Sequence, residues 1–192
     1  MATVTKSLIH PLQGYRCREA ASFISQMDDM SRRLGEAVQG ITPEELEWQS
    51  APGMNTVGML LAHIAIAEVS WGEIILHGIE TVETESVLGI RQDEDGEPLA
   101  EGAPAPPNLK GKSLAYYEGL LSKARAYFKE GAAKLSDADL DREITRTRPD
   151  GSQRILNVRW GMYHVLEHFA GHFGQILLLR HLYRATVESP TR

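Results

Sequence analysis

One cysteine, Cys17, stands in a chain of 192 residues, so no internal disulfide can form and a disulfide-stapled scaffold is excluded. Size replaces staples: a chain this long buries roughly 70% of its extended surface on folding. With 42% hydrophobic and 24% charged residues, one globular domain over residues 1–192 is the expectation. A dense Lys/Arg stripe is also lacking, since 26 acidic residues outnumber 20 basic ones for a net charge of −6. Nucleic acid is therefore not an expected partner. No uninterrupted apolar run reaches the ~18 residues of a membrane span. The N-terminal MATVTKSLIHPLQGYR likewise has no signal-peptide core. These absences make the cytoplasm the expected location and a membrane an unexpected partner. No internal repeat of solenoid type is present.

Four long segments have helical periodicity. The first runs from Tyr15 to Val38, with Phe23, Met27, Met30, Leu34 and Val38 in one stripe. After Gly40, Thr42-Pro43-Glu44-Glu45 predicts a short capped turn ending at Trp48. A core helix follows from a cap at Asn55 or Thr56 to His77 before Gly78, and a third runs from Ser113 to Leu135. The last starts at the capping Asn157 and reaches Ala185. Between the third and fourth, residues 143–156 alternate around Pro-Asp-Gly-Ser and predict a small β-hairpin. The expected fold class is all-α, a helix bundle. Residues 79–108 hold Glu80, Glu83, Glu85, Asp93, Glu94, Asp95, Glu97 and Glu101 against the single basic Arg91. Rich in Gly and Pro, this segment predicts a long loop, either a functional lid or a mobile connection.

Histidine is where the chemistry concentrates. His164, His168 and His172 recur at four-residue spacing on the last helix, which places successive imidazoles on one face, one turn apart. A rigid helix aims two of them at one point while a third diverges around the cylinder, so a metal site would take two ligands from this row and one from elsewhere. His63, in LLAHIAIAE, has apolar neighbours on both sides and needs a partner if buried. A metal ion is one such partner; a backbone carbonyl or a carboxylate is the other.

His63 on the second long helix, together with HVLEHFAGHFGQI at the start of the last, resembles the DinB (YfiT-like) family of metal-dependent proteins. The resemblance implies an up-down-down-up four-helix bundle, commonly a homodimer. It implies a divalent metal held by His63, His168 and His172, with Gly174-Gln175 as the trailing pair. His164 has no ligand counterpart there and is assigned to the pocket wall or to support of a ligand, and Gln175 to substrate or dimer contact. Zinc or nickel is the expected ion. Three neutral ligands leave a position open for a small-molecule substrate. Family members that work through mycothiol or bacillithiol make a thiol-dependent transferase the expected activity. A metal-dependent hydrolase and a non-catalytic metal-binding dimer are the alternatives.

Of the remaining candidates, Glu68 and Glu167 sit off-phase from the ligands and are expected to be solvated or paired elsewhere. Trp71, Trp160 and Tyr163 are expected in the core and Cys17 as an inert packed thiol. Arg146, Arg148, Arg154 and Arg159 cluster around the hairpin, as a solvated edge or as receivers of an anion or of the acidic loop.

Overall fold

The computed structural model describes residues 6–79, 82–147 and 150–188; Glu80 of the acidic segment and Arg148 of the arginine cluster lie outside them. The fold is mostly helical with one small antiparallel sheet. In chain order the helices are α1 (Arg18–Val38), α2 (Pro43–Glu47), α3 (Val57–Gly72), α4 (Glu85–Leu88), α5 (Leu114–Ala132), α6 (Asp137–Leu140) and α7 (Val158–Glu188). Strands β1 (Glu143–Thr147) and β2 (Gln153–Asn157) form the predicted hairpin, with Ile144 opposite Leu156 and Arg146 opposite Arg154. Helix α3 packs against α5 and α7, and α1 packs against α7 and α5.

Local chemistry explains the boundaries. Thr42 and Thr56 accept hydrogen bonds from Glu45 N (3.2 Å) and Met59 N (3.1 Å), and Asn157 accepts from Trp160 N (2.8 Å), each satisfying an otherwise unpaired amide of a helix start. The first helix begins at Arg18 rather than Tyr15, because Cys17 is the residue that caps it: its sulfur accepts from Ala20 N at 3.4 Å. After Gly72 the core helix widens into a π-turn, Glu73–His77, and stops at Gly78, whose φ of 69° is the left-handed conformation that glycine adopts without strain. Close approach of the helices depends on missing side chains. A Cβ on Gly58 would lie 2.5 Å from the Tyr117 hydroxyl of α5, and one on Gly161 of α7 would lie 2.5 Å from Ile75 Cγ2 in the π-turn.

Two expectations need correction. The stretch Val57–His77 has the length and mean hydropathy (1.6) of a membrane span after all. Its polar residues, His63 and Glu68 among them, break the apolar run without lowering the average, and 78% of its most apolar window is buried inside the fold. It is the central core helix. The acidic segment is also not a featureless loop. It contains α4 and leads into a 3-10 turn, Pro107–Leu109; Leu88 and Ile90 within it and Leu109 just past its end anchor it in the core. Thr84 Oγ1 donates to Ile90 O (2.8 Å) and Asn108 Nδ2 to Glu94 O (2.7 Å), so the described part of the segment folds back on itself.

Candidate metal centre

His63 projects from the middle of α3, flanked by buried Ala62 and Ile64, and keeps 23% of its side chain exposed. His168 and His172 reach toward it from α7. The Nε2 of His168 lies 3.0 Å from the Nε2 of His63 and 3.0 Å from the Nε2 of His172. Candidate ligand atoms of all three fall within 4.8 Å of one another. Two nitrogens bound to one tetrahedral ion at about 2.0–2.1 Å stand about 3.3 Å apart, close to what the rings already show. The cluster is therefore compatible with metal binding.

The other ring nitrogens settle the tautomers. His63 Nδ1–H donates to Asp95 Oδ2 at 2.8 Å, and His172 Nδ1–H donates to Gln175 Oε1 at 2.7 Å. Each of those rings, when neutral, then presents a bare lone pair at Nε2. Both lone pairs face His168 Nε2, which carries at most one proton and can satisfy only one of them. A cation satisfies all three nitrogens at once. Asp95 is itself buried, and its other oxygen accepts from Glu97 N at 3.0 Å, so the carboxylate is held rigidly behind His63. A carboxylate on the far nitrogen of a ligand imidazole fixes its orientation and raises its basicity. Replacing Asp95 by Asn is thus expected to weaken zinc affinity about 10–100-fold, measured by competition with a chromophoric chelator, with the far-UV spectrum unchanged. An affinity equal to the parent's would remove Asp95 from the centre.

Electrostatics favours the neutral form of His168 and His172. Burial, then the neighbouring His172, His63 and His164, depress the His168 pKa to about 3. His172 is also lowered, by burial first and by His63, against the opposing hydrogen bond to Gln175. The unfolded chain takes up a proton on His168 near its ordinary pKa of about 6.5, whereas the metal-free folded chain does so only near 3. Between those values the unfolded state binds more protons, so this residue makes stability fall as pH drops below about 6.5 and has no effect above it. Thermal melts of metal-free protein across that window should show a shallower acid loss in His168→Gln than in the parent. Identical slopes would refute the assignment.

The remaining candidates separate clearly. His164 does diverge from the row. Its Nδ1 pairs with Glu167 at 3.2 Å, and its ring stacks on Trp160 (centroids 4.7 Å, 15°) and meets Trp71 edge-on (4.7 Å). Trp71 and Trp160 are half-buried and form a wall beside the histidines, and Tyr163 is 49% exposed, so none of the three is a fully enclosed core aromatic. Glu68 is paired elsewhere, with Arg125 at 2.6 Å. Cys17 is fully buried, and burial raises its thiol pKa, as befits an inert packed side chain. Gln175 turns to His172, in addition to being exposed at the surface. The residue missed at the sequence level is Asp95. Two signals pointed that way, a histidine in need of a partner and a run of acids, but no periodicity links positions 63 and 95.

The fold and the centre together define a class: a mostly helical protein whose core helix and last helix bring three imidazoles face to face in an arrangement able to hold a divalent ion. Residues 26–176, most of the chain, match the DinB superfamily. The chain belongs to that superfamily, in agreement with the resemblance carried by His63 and HVLEHFAGHFGQI. No curated protein matches it.

Proposed function

We propose that this chain is a divalent-metal-dependent enzyme, an up-down-down-up four-helix bundle in which His63, His168 and His172 hold zinc or nickel and a low-molecular-weight thiol is the cosubstrate of a transfer reaction. The observation that carries the reading is the set of three facing Nε2 atoms, two of them lone pairs by tautomer. A divalent ion bound there supplies Lewis acidity, favouring the thiolate form of a thiol at neutral pH. Asp95 holds the His63 ring in its productive orientation, and Gln175 does the same for His172. The partial exposure of the histidines supports access for a small substrate. Exposed Leu177, Leu178 and Leu182 on α7 support a homodimer.

The test is turnover of a panel of small electrophiles by zinc- or nickel-loaded protein, with and without added thiol. Thiol-dependent turnover that disappears in His168→Ala is the expected result. Turnover without thiol would make the protein a hydrolase, and a metal with no exchangeable coordination position would make it non-catalytic.

A further inference from the structure

Among the described residues, two arginines of the hairpin, Arg146 and Arg154, have no carboxylate partner. Arg159, by contrast, is paired with Glu19 and Asp141, Arg125 with Glu68 and Asp28, and Arg180 with Glu45. Arg142 donates to Ile75 O. Arg146 and Arg154 have no hydrogen bond or ion pair among the described residues, yet they are direct cross-strand partners on one face of the sheet. Like charges placed opposite each other destabilise a strand pair, so folding alone does not favour this arrangement.

Both guanidiniums lean over the aromatic wall. Arg154 Cζ lies 4.2 Å above the Trp160 ring and Arg146 Cζ 6.0 Å above Trp71. Stacking uses the flat faces of a guanidinium and leaves its N–H edges free to donate. The same two tryptophans flank His164, whose ring centroid is 6.0 Å from that of His168. The order in space is thus a pair of forked donors unpaired among the described residues, an aromatic shelf and the histidine centre.

We propose that Arg146 and Arg154 form the anion-binding subsite of this centre and select substrates that carry a carboxylate or phosphate group. The anionic oxygens sit on the paired guanidiniums, the body of the substrate lies along Trp160, His164 and Trp71, and the reacting atom reaches the three histidines. The subsite rests on the reading of those histidines as the reaction centre.

The experiment titrates the full-length, metal-free chain with succinate, inorganic phosphate and neutral succinamide, following tryptophan fluorescence. Trp71 and Trp160 report from the shelf, while Trp48 packs against Tyr183 elsewhere and supplies a constant background. Zinc affinity is measured on the same samples. Saturable binding of succinate, phosphate or both, with none of succinamide, is the expected result, and the stronger of the two anions identifies the preferred group. The double variant Arg146→Gln/Arg154→Gln should bind the anions about tenfold or more weakly while its zinc affinity stays at the parent value. Equal anion binding by parent and double variant, binding of succinamide as tight as that of succinate, or no saturable binding would overturn the subsite. If the parent binds anions but no zinc, the reaction-centre reading fails alone; if it binds zinc but no anion, the subsite fails alone.

Discussion

Alanine at His168 is expected to lower zinc affinity by a factor on the order of a hundred to a thousand without lowering the stability of the metal-free chain. His168 is the shared member of the cluster, 3.0 Å from both other Nε2 atoms. A structural zinc site is worth ~10–16 kcal/mol over its four ligands, so one imidazole accounts for about 2.5–4 kcal/mol, which sets the size of the loss. The stability half of the prediction follows from the lone pairs. In the absence of metal, three acceptor-rich nitrogens face one another with too few protons between them, and removing the middle one relieves that conflict. A histidine that served only as a hydrogen-bonded core residue would behave the opposite way, with a lower midpoint in denaturant and no change in metal content. Chelator competition and urea unfolding of the apo protein check the two halves separately, which matters because bound metal would otherwise raise the apparent stability of the parent alone.

Glu68→Ala is expected to do the reverse, costing about 3–5 kcal/mol of stability and leaving zinc affinity within a factor of a few of the parent. Glu68 and Arg125 are both buried between α3 and α5, joined by two hydrogen bonds of 2.6 and 3.1 Å. Truncating the carboxylate strands the guanidinium in the core with Asp28, itself partly exposed, as its one counter-charge among the described residues, at 3.2 Å. Removing both charges with a matched apolar pair, Glu68→Leu/Arg125→Met, should recover most of the loss, since a buried ion pair owes much of its value to the cost of breaking it. Urea denaturation of metal-free protein measures both variants. A loss of zinc affinity in Glu68→Ala at full stability would return Glu68 to the metal centre.

These two residues show what the sequence made legible. His63 and Glu68 lie on the same core helix only five positions apart, and helical phase separates them correctly: one faces α7, the other α5. The four-residue row on α7 likewise announced that two imidazoles converge and one diverges, because that follows from 3.6 residues per turn alone. The hairpin and the caps at Thr42, Thr56 and Asn157 were readable because each is a local bargain between a side chain and a nearby amide. Asp95 was not, since its place behind His63 depends on where Leu88, Ile90 and Leu109 pin a segment without periodicity. The apolar average of Val57–His77 does not by itself separate a membrane span from a core helix, because hydropathy cannot distinguish lipid from the packed faces of neighbouring helices; the burial of the stretch does.

Diffraction from zinc-soaked crystals at the zinc absorption edge tests the central claim most directly. One anomalous peak at about 2.0–2.1 Å from the Nε2 atoms of His63, His168 and His172 is the predicted result. Full zinc loading with the peak on other side chains, or the three rings turned apart with no peak between them, would contradict it.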